Sequence, residues 1–217
     1  MKTLRVNAGE VLNELLDGGF EKGVVSTIFG PAAAGKTTVA MILSKFVSEE
    51  KKVYFLDTEG GFSVERFSQL GDDRLLKNIL LMKPLNFLEQ MKSVETVTKN
   101  INDKIGLIVV DTISALYRLE KSKNLKEVNN MLNLQLSWLT EAARKHNIPV
   151  LLTAQVYSDF EGKDKVKIVG GDFIKYNAKC LVELTTEPRK ALIRKHRSLP
   201  ENKEIEFKIV SEGFGKI

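Results

Sequence analysis

The chain has 217 residues, 43% of them hydrophobic, which is enough to bury the core of one sizeable domain. We expect neither a membrane span nor a secretory leader, since no apolar run reaches about 18 residues and residues 1–7 lack an apolar stretch. The net charge is +5, and a lone cysteine, Cys180, excludes an internal disulfide and fits a protein of the cytoplasm.

The first predicted elements are a short amphipathic helix that starts near Glu10 and an apolar, β-branched strand at residues 24–29. Asn7 and Glu10 have the spacing of a helix N-cap and its third-position acid. We expect no separate domain ahead of this strand. We therefore expect residues 1–217 to form one domain.

A glycine-rich loop follows the strand and has the pattern G-x-x-x-x-G-K-[ST] of a phosphate-binding P-loop. Apolar residues with helical spacing come directly after it, and strand, loop and helix is the order that this chemistry requires. Backbone N–H groups and the helix N-terminus then face a phosphate. Lys36 is expected to reach the outer phosphates, and Thr37 to bind Mg²⁺. The predicted nucleotide-binding residues of this loop are Gly30, Pro31, Ala32, Ala33, Ala34, Gly35, Lys36, Thr37 and Thr38.

Polar side chains follow three later predicted strands. Glu59 lies just beyond the second strand, and Asp111 and Gln155 each end a continuous apolar run typical of a buried parallel strand. Because helices alternate with these strands, the pattern predicts a doubly wound, mostly parallel α/β sheet. Ligands bind such sheets at the carboxyl ends of the strands, so these side chains are expected at the nucleotide site. Asp111 fits the carboxylate that holds Mg²⁺ together with Thr37.

The pattern of predicted elements changes in the last part of the chain. A long helix is predicted over residues 125–145, after a polar link at residues 117–126. Beyond a loop at residues 157–171, short strands with tight turns predict an antiparallel extension of the sheet. Cys180 alternates with apolar residues there, so we expect a buried core thiol.

The positive charge is concentrated. Five cations and no acid lie between Pro188 and Pro200, with three lysines in the preceding loop. Such a stretch favours a polyanionic partner, although a solvated basic face accounts for the same residues. The candidate contacts are Lys163, Lys165, Lys167, Arg189, Lys190, Arg194, Lys195 and Arg197.

Several stretches resemble the recombinases of the RecA family, which include archaeal RadA and its eukaryotic counterparts. Residues 57–67 (DTEGGFSVERF) are similar to the segment after that family's second core strand. Residues 111–118 (DTISALYR) are similar to its Walker B strand and first DNA loop, and residues 152–156 (LTAQV) to its sensor strand. The resemblance covers nearly the whole chain, and it is strongest to short archaeal paralogues that consist essentially of the ATPase core.

The resemblance implies a RecA-like P-loop NTPase that binds ATP, Mg²⁺ and DNA, whether single-stranded, duplex or branched. In that family a glutamate at the place of Glu59 polarises the attacking water, and a glutamine at the place of Gln155 senses the γ-phosphate. With Lys36, these are the expected catalytic residues. An arginine at the place of Arg66 lies against adenine, and Arg118 falls in a DNA loop.

The same resemblance implies an accessory role in homologous recombination and DNA repair. We expect very weak ATP hydrolysis that DNA does not stimulate, no strand exchange, and a monomer or dimer instead of a filament. A Holliday-junction resolvase or another recombination protein is the expected protein partner, and no membrane partner is expected.

Two other functions fit parts of the pattern. One is a KaiC-type signalling ATPase of the same superfamily, which has protein partners only. The other is a small-molecule kinase, which the absence of an arginine-rich lid between the core helices disfavours. Salt-sensitive DNA binding would distinguish the accessory recombination protein from the signalling ATPase.

Overall fold

The computed structural model describes residues 4–120, 124–158 and 166–217. The described strands are β1 Arg5–Val6, β2 Phe20–Glu21, β3 Val25–Phe29, β4 Lys52–Asp57, β5 Ile79–Met82, β6 Ile105–Asp111, β7 Val150–Ala154, β8 Val156–Ser158, β9 Val166–Ile168, β10 Cys180–Leu184, β11 Lys190–His196, β12 Glu204–Val210 and β13 Gly213–Lys216. The described helices are α1 Glu10–Leu15, α2 Lys36–Ser48, α3 Val64–Leu70, α4 Phe87–Lys99, α5 Ala115–Glu120, α6 Leu125–His146 and α7 Gly171–Asn177, with a 3₁₀ helix at Asp73–Asn78.

A nine-stranded sheet in the order β13-β12-β11-β10-β3-β7-β6-β4-β5 forms the frame. Strands β10, β3, β7, β6, β4 and β5 pair in parallel, and β11, β12 and β13 extend the sheet from β10, each antiparallel to the strand before it. The predicted α/β class and its antiparallel extension are therefore confirmed. In this register Phe29 lies beside Ala154, and Asp57 beside Asp111, so the parallel strands end along one edge.

Helices cover both faces of the sheet. Helices α1 to α3 enclose one hydrophobic core and α4 to α7 enclose the other. All seven residues of β6 are buried, which explains why this strand is a continuous apolar run and not an alternating one. Cys180 is buried as expected, and burial raises the pKa of its thiol to about 12. None of the described helices is both long enough and apolar enough to cross a membrane.

The polar link predicted at residues 117–126 is wrong over its first part, where the chain forms α5. Tyr117 is the reason: its ring packs edge-on against Phe87, with centroids 5.9 Å apart, and its hydroxyl donates to Asn129 Oδ1 at 2.7 Å. The predicted cap at Asn7 is also displaced. Gly9 is the N-cap of α1, and the Asn7 side chain accepts from the Gly9 amide at 2.9 Å.

Candidate functional site

A cavity of about 690 Å³ opens where the parallel strands end. Loops that leave β3, β4 and β7 bring their polar residues to its wall, which is the edge at which doubly wound sheets bind ligands. The lining residues are Gly30, Ala32, Ala33, Gly35, Lys36, Thr37, Thr38, Glu59, Arg118, Gln155, Val156 and Ile209.

The backbone of the P-loop is fixed by glycines that cannot be replaced easily. A Cβ atom on Gly30 would lie 2.3 Å from the Leu184 carbonyl oxygen of the neighbouring strand, a severe clash. Gly35 has a φ of 102° and is the N-cap of α2, with no side chain capping the helix. The first N–H groups of this 13-residue helix are thus without a side-chain cap. This arrangement fits a phosphate.

Lys36 lies against the same loop. Its ammonium donates to the carbonyl oxygens of Gly30 at 2.9 Å and Pro31 at 2.7 Å. Burial lowers the pKa of Lys36, and the carboxylates of Glu59 and Asp111 oppose that shift. Within the described ranges its direct partners are neutral oxygens, and such a partly desolvated cation is well suited to bind a phosphate.

Asp111 and Thr37 supply oxygen atoms at one point of the cavity. Asp111 is 2% exposed, and its carboxylate accepts hydrogen bonds from the hydroxyls of Thr153 and Thr37. Burial is the largest cause that raises the pKa of Asp111, and the negative charges of Asp57 and Glu59 raise it further. A buried carboxylate with two further acids beside it fits a hard divalent cation such as Mg²⁺.

Glu59 and Gln155 are in contact, although Glu59 follows β4 and Gln155 follows β7. The Gln155 side-chain amide donates to Glu59 Oε1, and the Gln155 backbone N–H donates to Ser114 Oγ at 2.9 Å. The Gln155 Oε1 atom is buried and has no hydrogen-bond partner in the described part of the chain. A carboxylate and an amide so arranged can orient a water molecule.

Asp57 is a residue of this edge that sequence reasoning did not assign. It is 2% exposed and accepts from the amides of Gly61 at 2.9 Å and Phe62 at 3.1 Å. These bonds shape the loop that carries Glu59. The signal was present in the sequence, because Asp57 ends a predicted strand in the same way as Asp111.

The two arginines assigned from the resemblance are placed differently. The Arg66 guanidinium donates to the carbonyl oxygens of Val210 at 2.6 Å and Ser211 at 2.9 Å, and Arg66 does not line the cavity. Arg118 does line it.

The five cations from Arg189 to Arg197, here called the basic run, are spread over the length of β11 and its two ends, so they do not form one patch. His196 pairs with Cys180 at the amino end of β10, while the Arg189 guanidinium donates to the Ala33 carbonyl of the P-loop at 3.0 Å. With a rise of about 3.3 Å per residue, the two ends of this strand lie roughly 20 Å apart.

Three cations of the run are engaged by acids from other segments. The Lys190 ammonium lies 2.8 Å from Glu204 and 3.3 Å from Glu206. The guanidinium of Arg194 lies 2.5 Å from Glu183, and that of Arg197 lies 2.6 Å from Glu21. Both of these glutamates are buried.

Lys195 has a different environment. Its ammonium donates to the Lys175 carbonyl oxygen at 2.6 Å, and no acid pairs with it within the described ranges. Burial lowers the pKa of Lys195, and the nearby charge of Lys179 adds to the shift. Lys167 lies in β9, and the predicted contacts Lys163 and Lys165 lie outside the described residues.

Comparison with known proteins matches the chain over residues 1–217 to the family model described as Rad51. DNA repair and recombination protein RadB of Methanobrevibacter smithii is 39% identical over 215 residues, covering 93% of this chain and 92% of that protein. RadB of Methanococcoides burtonii is 36% identical over 225 residues, covering 98% and 99%. A crystal structure of the RadB recombinase aligns with a TM-score of 0.84 at 34% identity, covering 98% of this chain and 99% of that one.

Proposed function

The chain belongs to the Rad51 family and within it resembles RadB, and we propose that it is an ATP- and DNA-binding accessory protein of homologous recombination. A role in DNA repair and recombination follows from these relatives. The observation that supports nucleotide binding best is the convergence of Lys36, Glu59 and Gln155 on one cavity in a RecA-like fold. A single RecA-like core over residues 1–217 and a cytoplasmic location are parts of the same proposal.

We propose that the P-loop amides and Lys36 bind the phosphates of ATP, and that Thr37 and Asp111 hold Mg²⁺. The cation, when bound, screens the charge of the phosphate oxygens. Arg66 is proposed for the adenine end; the support is the family resemblance, together with its position against the turn between β12 and β13.

Hydrolysis is proposed to depend on Glu59 as the base that takes a proton from water. Glu59→Gln keeps the hydrogen-bonding shape and removes the basicity, so we expect the slow hydrolysis to fall by roughly 100-fold or more, with ATP affinity unchanged. Phosphate release measured at saturating ATP checks this. The control is Glu65→Gln, which removes an exposed acid of α3 that bonds to Ser63.

Unaltered hydrolysis in Glu59→Gln would contradict the assignment of the base. We also expect added DNA to leave the wild-type rate nearly constant. A large stimulation by DNA would count against the accessory role and favour an active recombinase.

DNA binding is proposed to be electrostatic, with Lys195 as a phosphate contact on β11. Lys195 is chosen because Lys179 reinforces its positive field and no described acid neutralises it. Replacing Lys195 with alanine should reduce the log–log salt slope of duplex binding by about 0.9. Lys190→Ala is the matched control on the same strand, since Glu204 and Glu206 already neutralise Lys190.

The salt titration also tests the competing function. An unchanged slope in Lys195→Ala removes this lysine from the interface. Failure of the wild-type protein to bind DNA at low salt would favour a signalling ATPase with protein partners only.

We further propose a monomer or dimer that acts with another recombination protein, such as a nuclease that cleaves branched DNA. The support is the similarity to RadB and not a feature of the cavity. Electron microscopy with ATP and long single-stranded DNA is expected to show no regular filament. Helical filaments would contradict this part of the proposal, because they require a repeating head-to-tail interface between subunits.

A further inference from the structure

Arg118 is a cation of the cavity wall that lies outside the P-loop pattern. It is in the last turn of α5 and lines the same cavity as Lys36, Glu59 and Gln155. The residue is exposed, and within the described part of the chain no hydrogen bond or ion pair engages its guanidinium. An unpaired guanidinium that faces a cavity is available for an anionic ligand.

Hydrogen bonds place Arg118 on the side of the cavity that carries Glu59. Its backbone N–H donates to the Ser114 carbonyl at 3.0 Å, and Ser114 Oγ accepts from the Gln155 backbone amide at 2.9 Å. Gln155 in turn donates to Glu59. Arg118 therefore follows, by one helical turn, a residue bonded directly to the Glu59–Gln155 pair.

The charge distribution favours a second cation at this point. Asp57, Glu59 and Asp111 bring three carboxylates to this edge, whereas Lys36 is the P-loop cation and burial disfavours its charged form. A nucleoside triphosphate adds several negative charges. Phosphoryl-transfer sites commonly balance them with an arginine, whose planar fork can contact two phosphate oxygens at once.

We propose that Arg118 contacts the terminal phosphate of a bound nucleoside triphosphate and so makes this site discriminate triphosphate from diphosphate. This inference rests on the proposed nucleotide binding at the P-loop. It differs from the expectation that Arg118 contacts DNA, which becomes an outcome of the test.

The test compares the affinities for a non-hydrolysable ATP analogue and for ADP, both with Mg²⁺, by isothermal titration calorimetry. Arg118→Ala is expected to weaken binding of the triphosphate about tenfold, as for loss of one charge-assisted contact, and to change ADP binding less than twofold. Arg118→Lys should retain part of the preference. Arg144→Ala, an exposed arginine near the end of α6, controls for the loss of one charge and should alter neither affinity.

Equal losses for both nucleotides, or no loss for either, would overturn the inference. If nucleotide affinities stay constant while the salt slope of DNA binding falls by about 0.9, Arg118 is a DNA contact instead. Wild-type protein that binds neither nucleotide would overturn the proposed nucleotide site itself, and the inference with it. Circular dichroism confirms that each variant is folded, and the lysine variant provides a second, more conservative test.

Discussion

Replacing Lys36 with alanine is expected to lower the affinity for Mg²⁺-ATP by roughly 30- to 150-fold, because contacts of a charged donor contribute about 2–3 kcal/mol. The fold should persist. Lys36→Ala does remove two hydrogen bonds to loop carbonyls, but it also removes a partly buried ammonium whose charged form is disfavoured. These effects oppose each other, so the free energy of unfolding should change by less than about 1 kcal/mol.

Lys45→Ala is the matched control for this experiment. Lys45 lies on the same helix, where it pairs with Glu49 at 3.2 Å, and it does not line the cavity of the candidate site. Its replacement removes the same charge and should leave ATP affinity within twofold. Equilibrium binding of a fluorescent ATP analogue measures both variants. Equal affinity in wild type and Lys36→Ala would remove the P-loop lysine from nucleotide binding.

The edge of the sheet that carries the candidate site could be predicted because its determinants are local. A P-loop is a contiguous pattern, and a parallel sheet brings the carboxyl ends of its strands to one edge, so Asp111 and Gln155 could be placed without knowledge of the strand order. The contact between Gln155 and Glu59 could not be derived in this way. It depends on β4, β6 and β7 being neighbours, which local patterns do not specify.

The ion pairs that neutralise cations of the basic run could not be predicted for the same reason. Its neutralising acids are distant in sequence: Glu21 belongs to β2 and Glu183 to β10. A count of charges between two prolines therefore overstates the charge available to a polyanion. Similarly, residues 117–126 predict a polar link because polar side chains dominate that stretch as a whole, whereas the contacts of Tyr117 fix its first part in α5.

Replacing Arg197 with alanine is expected to destabilise the protein by about 2 kcal/mol. Arg197 Nε lies 2.6 Å from Glu21 Oε2, and the Glu21 side chain is only 2% exposed. Removing one partner of a buried ion pair leaves an uncompensated charge, which costs about 3–5 kcal/mol in fully buried pairs. We expect less here because the Arg197 side chain is 45% exposed, and because Arg5 remains 3.6 Å from Glu21.

A double-mutant cycle with Glu21→Gln separates this structural role from DNA binding. If the loss in Arg197→Ala arises from the unpaired Glu21 carboxylate, then adding Glu21→Gln should recover part of it, and urea denaturation should give a clear coupling energy. Lys195→Ala, the neighbouring cation with no described acid partner, should change stability by less than about 0.5 kcal/mol. At a temperature where every variant is folded, Arg197→Ala should keep the wild-type salt slope for DNA, since its guanidinium is already occupied by Glu21. A slope reduced by about 0.9 with unchanged stability would instead make Arg197 a phosphate contact.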